Sequence, residues 1–170
     1  MSDETTPINV AWRDYIREVA EFWARHPEEN LQRNAYLWDW WSEARRLGDE
    51  ERAKYFIRLS MSMEVLDGLD EMHEVLLDPE QPHRHQEAVR EIQSSMYPLS
   101  VPILRQAFEL GAQSMSDYND TGIAEVAKRF SQAWFDIGTP EAIQCLRDFA
   151  EHPDADIAAE MRYRLSLLSD

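Results

Sequence analysis

The chain is short of positive charge. It carries 17 Lys and Arg against 33 Asp and Glu, a formal net charge of −16 over 170 residues, and a nucleic-acid backbone or an anionic membrane surface therefore repels it. Cysteine is nearly absent as well. The single Cys145 leaves no internal disulfide and no argument for an oxidising compartment, and it lies in an apolar-periodic stretch where a buried structural thiol is usual. No apolar run approaches the roughly 18 residues that a membrane span needs. Residues 1–7, Met-Ser-Asp-Glu-Thr-Thr-Pro, are polar and acidic rather than basic and then apolar, which is not the pattern of a secretory signal. The expectation is a cytoplasmic protein with no membrane or nucleic-acid partner.

What is present is enough apolar material for a core. Hydrophobic residues make up 44% of the chain, with six Trp, six Tyr and six Phe against five Gly, and disordered chains lack that supply. The expected organisation is a disordered tail over residues 1–7 and a single domain over 8–170. Acidity is not confined to a tail, since residues 1–86 hold 19 acids and 10 bases and residues 87–170 hold 14 and 7.

Apolar residues recur at three-and-four spacing along the whole chain, the period of a helix. Ile8, Trp12, Tyr15, Ile16, Val19, Phe22 and Trp23 define a first helix closed by His26-Pro27. Leu37, Trp40, Trp41, Ala44 and Leu47 define a second, stopped at Gly48 and followed by Asp49 as the N-cap of a third over residues 50–77. Two prolines make residues 78–83 a loop. Ala88, Val89, Ile92 and Met96 carry a fourth helix up to Pro98, and Val101, Leu104, Ala107, Phe108 and Gly111 a fifth, before a polar connection over 115–119. The sixth runs from Ile123 to Gly138, the seventh starts at Thr139-Pro140, and the eighth follows His152-Pro153-Asp154 and contains Ile157, Met161, Leu165 and Leu168. Alternating strand patterns are absent. The predicted fold is all-α, about eight helices in antiparallel hairpins.

One stretch stands apart. Between Arg58 and Arg84 there is no Lys or Arg, while Glu64, Asp67, Asp70, Glu71, Glu74, Asp78 and Glu80 fall within it. On a helix Glu64, Asp67, Glu71, Glu74 and Asp78 share one face, backed by Met61, Val65, Leu69, Met72 and Leu76 on the other. This acidic ridge is the first candidate partner-binding surface. Trp38 is the second: it points about 100° from Leu37, away from the stripe that Trp40 and Trp41 share, and Trp is enriched at interaction hot spots.

Residues 138–146, Gly-Thr-Pro-Glu-Ala-Ile-Gln-Cys-Leu, followed by Asp154-Ala-Asp-Ile157-Ala158, resemble a short HEAT-like repeat of the phycobilisome-lyase type. Ile123-Ala124 and Ile157-Ala158 lie one such repeat apart. The resemblance implies a stacked, superhelical array of hairpins over residues 98–170, with Ile157 and Met161 packed inward. Met161, Tyr163 and Leu165 are bulkier than the small residues usual there, and residues 1–97 carry no such match. The family hosts scaffolds, lyases and nucleic-acid enzymes, so it settles no activity.

Catalytic constellations are scarce. No Gly-x-Ser-x-Gly elbow or phosphate-cradling loop occurs, and Cys145 has only Arg147 as a basic neighbour in sequence. His73, His83 and His85 with nearby carboxylates fall short of the three or four convergent ligands of a metal centre. Only Asp70-x-x-His73 approaches a bundle-type ligand pair, and His83 and His85 are expected exposed in the loop. The reading is a non-enzymatic, cofactor-free, acidic helical module that binds a basic protein, such as a toxin or nuclease that it neutralises. Two alternatives stand beside it: a lyase-like ligand-binding repeat protein, and a homo-oligomer that buries Trp38 and its neighbours.

Overall fold

Caps set several of the helix boundaries. Gly48 ends one helix at φ 69° and Gly138 another at φ 64°, left-handed values that glycine adopts without a Cβ penalty. Asp49 accepts a hydrogen bond from the Arg52 amide at 3.0 Å, Thr139 from that of Ala142 at 3.3 Å, and Asp154 from those of Asp156 and Ile157 at 2.9 and 3.2 Å. Each satisfies donors that a helix start leaves open. The computed structural model describes residues 7–119 and 122–168. These form α1 (Pro7–Arg25), α2 (Pro27–Asn30), α3 (Arg33–Leu47), α4 (Glu50–Ser60), α5 (Met63–Leu77), α6 (Pro82–Ser95), a 3-10 turn (Pro98–Ser100), α7 (Val101–Asn119), α8 (Ile123–Ile137), α9 (Pro140–Phe149) and α10 (Ala155–Ser166). The fold is all-α, with no strand among the described residues.

The helices number ten among the described residues, not eight, for two reasons. Pro27 opens a separate single turn, α2. The expected third helix is broken at Met61-Ser62, where the Ser60 and Ser62 hydroxyls donate to the carbonyls of Ile57 and Leu59 at 2.8 and 2.7 Å and divert the backbone from its regular ladder. Met61, expected in the core, sits in that break and is 73% exposed. The expected polar connection over 115–119 is instead the last turns of α7, because Met115 and Ser116 are buried and extend the face of Phe108 and Ala112. The tail over residues 1–7 lies outside the described residues except for Pro7, which starts α1, and the side chain of Ile8 also lies outside them.

The chain divides into two compact units, Met1–Gly68 and Leu69–Asp170. In the first, Phe22 of α1 meets the rings of Tyr36, Trp40 and Tyr55 at 6.5, 5.8 and 5.9 Å. Ile16, Val19, Trp23, Leu37, Ala44 and Leu59 are buried around them. The Tyr15 hydroxyl donates to the Arg58 carbonyl at 2.8 Å, tying α1 to the end of α4.

The second unit is assembled on α8, which packs against α6, α7, α9 and α10. Its buried residues, Val126, Ala127, Phe130, Ser131, Ala133, Trp134 and Ile137, cover more than one face, as a helix surrounded by others requires. Trp134 is wholly buried, stacked on Phe149 at 5.3 Å and edge-on to Phe108 at 5.6 Å. Its indole N–H has no hydrogen-bond partner among the described residues. Burying an aromatic of this size contributes about 4–6 kcal/mol, against about 1–3 kcal/mol for the orphaned donor, so the ring dominates. Polar ties complete α8: Gln93 donates to Asp136 at 2.6 Å, and Ser131 and Arg164 both donate to Glu160 at 3.0 Å.

Ile157, Ala158 and Met161 are buried, whereas Ala124, the counterpart of Ala158, is exposed, so the two segments that the repeat resemblance equates are not packed alike. We expect Trp134→Ala to cost about 3–5 kcal/mol of stability and Asp154→Ala about 1 kcal/mol, read from urea unfolding by circular dichroism. Equal losses from the two would contradict the central place of Trp134.

Candidate functional site

The acidic residues of α5 and the loop after it are two sets. Glu64 and Asp67 belong to the first unit, and Asp70, Glu71, Glu74, Asp78 and Glu80 to the second. All but half-buried Asp78 are exposed. Two carboxylates of the ridge are neutralised by arginines from outside it. Arg33, 7% exposed, donates through Nε to Asp67 at 3.2 Å and through Nη1 to the Asn30 carbonyl at 3.0 Å, and a guanidinium that deeply buried needs the partner. Arg84 donates to Glu71 at 3.2 Å. Asp78 is a loop organiser rather than a free charge: it accepts from the Glu80 amide at 2.9 Å and from Gln81 at 2.7 Å. Those bonds, Gln81's first, hold its carboxyl below the usual range. Glu64, Glu74 and Glu80 make no side-chain ion pair among the described residues.

Trp38 is 58% exposed. Its ring meets Trp41 edge-on at 5.2 Å and Phe56 at 5.9 Å, while Trp41 and Phe56 lie 5.6 Å apart. Trp41, expected in the core stripe with Trp40, therefore packs on a different side of the α3–α4 hairpin. Trp40 meets Tyr55 at 5.9 Å. Arg45 lies over the Trp41 ring at 5.1 Å, within cation–π range.

The histidines do not converge. His83 is exposed, but His85, expected in the loop, is buried in the first turns of α6, and its Nε2 lies 2.8 Å from the Asp78 carbonyl oxygen; since a carbonyl only accepts, Nε2 carries the proton and donates it there. His73 lies apart from both, its Nε2 2.8 Å from the hydroxyl of Ser100. Among the described residues no group of three or more His, Cys, Asp and Glu is gathered to hold a metal ion. The His73–Ser100 pair was not legible in the sequence, because Ser100 lies 27 residues away and carries no motif. With Asp70 one turn before His73 it has the residue types of a nucleophile, a base and an orienting acid. Ser100 is 0% exposed, so no substrate reaches its hydroxyl, and the pair acts as a tie between α5 and the start of α7.

Cys145 is buried too, and burial pushes its thiol up, with Arg105 opposing; a thiol so placed is not a ready nucleophile. Arg105, not Arg147, is its basic neighbour. Arg105 also donates to Asp148 at 2.6 Å and to Glu109 at 2.9 Å, and it holds the Asp148 carboxyl below its ordinary range.

The second unit also has a groove of about 360 Å³ whose floor is Phe108, Phe149 and Ile157 and whose rim is Glu109, His152 and Asp154. Its polar groups are engaged elsewhere: Glu109 by Arg105, Asp154 by the start of α10, and His152 Nδ1 by the Asp154 amide at 3.1 Å. They do not converge on a ligand position. Among the described residues no helix is long and apolar enough to cross a membrane. Comparison with protein-family models, with curated proteins and with solved structures finds no match.

Burial lowers the pKa of His73 from its ordinary 6.5, with Asp70 opposing. The unfolded chain then binds more protons than the folded one below about pH 6.5, so this contribution is complete above that pH and is lost as the pH falls from there through the lowered native value. The lowered carboxyls of Asp78 and Asp148 act only at lower pH, below their ordinary 3.8. His73→Gln is expected to shrink the difference between urea midpoints measured at about pH 5 and about pH 7.5. An unchanged difference would show that His73 stays solvated in the native state.

Proposed function

We propose that the chain is a non-catalytic binding module whose acidic second unit captures a cationic protein. The observation that carries this is the placement of Glu74 and Glu80. Both are exposed, Glu74 one turn before the loop over residues 78–81 and Glu80 within it, and without an ion pair among the described residues, in a unit with 19 acidic and 8 basic residues. Carboxylates already paired within the molecule gain little from an incoming cation, since their Coulomb energy is spent on Arg33 or Arg84. Unpaired ones keep it. Complementary charge speeds encounter and suppresses wrong partners, and a toxin or nuclease with a basic working surface is the kind of protein that such a module neutralises. The buried state of Ser100 and Cys145 supports a binding role over nucleophilic catalysis.

The test separates a specific face from bulk charge. Wild type, Glu74→Lys/Glu80→Lys and a control with the same net charge, Glu141→Lys/Glu151→Lys, are immobilised and offered native lysate at low salt, and captured proteins are identified by mass spectrometry. The wild type and the control are expected to retain the same basic proteins and the Glu74/Glu80 variant to lose them, with capture falling as salt rises. Equal capture by all three would reduce the proposal to nonspecific charge, and no capture by any would remove it.

A further inference from the structure

We infer that the Trp38 side of the α3–α4 hairpin is a self-association surface, occupied by a second copy of this chain related by a two-fold axis. Trp38 is 58% exposed and Ile57 of α4 56% exposed, and the Trp38, Trp41 and Phe56 rings form one cluster with contacts of 5.2–5.9 Å. Trp40, on the other side of α3, takes the contact with Phe22 and the core of the first unit. Exposed Trp beside Arg is the composition of an interface centre rather than of a solvated face.

Charge selects the occupant. Residues 33–60 contain six basic and five acidic side chains, while the rest of the chain holds 11 and 28. Two copies of a chain with net charge −16 repel wherever their acidic surfaces meet, and this hairpin brings no net negative charge to the contact. A cationic partner is drawn to the acidic surfaces instead, and an anionic one is repelled by the molecule as a whole. The outer face of α3 is also self-complementary. Ala35, Trp38, Asp39, Ser42, Arg45 and Arg46 are all exposed and cluster within about 60° of Ser42 on a helical projection. An antiparallel α3 pair with its two-fold axis near Ser42 keeps each residue on its own side of the seam, so it sets Arg46 of one copy against Asp39 of the other, and does so twice, as an isologous contact requires. It also brings Arg45 beside the partner's Trp38. Within one copy Asp39 has no ion-pair partner among the described residues, and Arg46 reaches Glu43 at 4.0 Å. The 15 residues of α3 and the width of two helices give a face of roughly 22 by 20 Å, small beside the about 800 Å² per partner of a standard interface. A contact of that size belongs with weak, reversible associations.

Sedimentation equilibrium of the full chain from about 1 to about 200 μM tests this. The expected result is a concentration-dependent rise from 20.0 kDa to twice that mass, stronger at about 500 mM than at about 50 mM salt because the long-range repulsion is screened. Trp38→Glu is expected to weaken the dimer at least about tenfold with its helical circular dichroism unchanged. Arg46→Asp alone should weaken it and Arg46→Asp with Asp39→Arg restore it, which keeps the test decisive if the Trp38 variant misfolds. A monomer at every concentration, or a dimer indifferent to Trp38→Glu and to the charge swap, overturns the inference. The opposite salt dependence distinguishes this contact from capture of a cationic protein.

Discussion

Burial of Trp134 at the centre of α8 is the constraint on which the second unit rests. An indole reaches zero exposure only when neighbours supply contacts on every side, and the rings of Phe108 and Phe149 come from α7 and α9 to do so. Their arrival fixes the helices that carry them. Arg105, lying over Phe149 at 5.6 Å while paired with Glu109 and Asp148, seals the outside of that ring and sits against Cys145. The orphaned indole N–H is a cost that the ring's area offsets. In the first unit Phe22 has the corresponding place, joining α1 to rings on α3 and α4.

The same packing decides what the charges are for. A protein with 33 acidic residues and 17 basic ones has carboxylates to spare, and their roles follow from which guanidinium lies near. Asp67 balances buried Arg33, Glu160 balances Arg164, and Asp78 closes a turn. Such carboxylates belong to the fold. Glu74 and Glu80 make no ion pair among the described residues, and the hairpin bearing Trp38 is nearly neutral.

Much of the helical layout was legible in the sequence because its causes are local. The span of α8, the stops at Gly48 and Gly138, and the caps Asp49, Thr139 and Asp154 depend on residues within one turn of each other. The break at Met61-Ser62 was not legible, because whether a serine hydroxyl turns back to a carbonyl or out to water depends on what surrounds it. Ser62 is fully buried, so it turned back. The extension of α7 through Met115 was hidden for the same reason: polar neighbours mark a loop only when the intervening residues have no core to enter. The acidic ridge was visible as a stretch without Lys or Arg. Its partial neutralisation was not, since Arg33 lies 34 residues from Asp67 and Arg84 lies 13 from Glu71.

The amino-acid sequence by itself determined that this chain is helical, acidic and able to bury a core, because period, composition and capping act over a few residues and need no knowledge of the rest. Only the tertiary structure decided which side chains remain available. Ser100, His85 and Cys145 have reactive or ligating groups and are buried; Trp38 is apolar and stands in solvent. Availability is a property of the surroundings, and residues distant in sequence supply the surroundings.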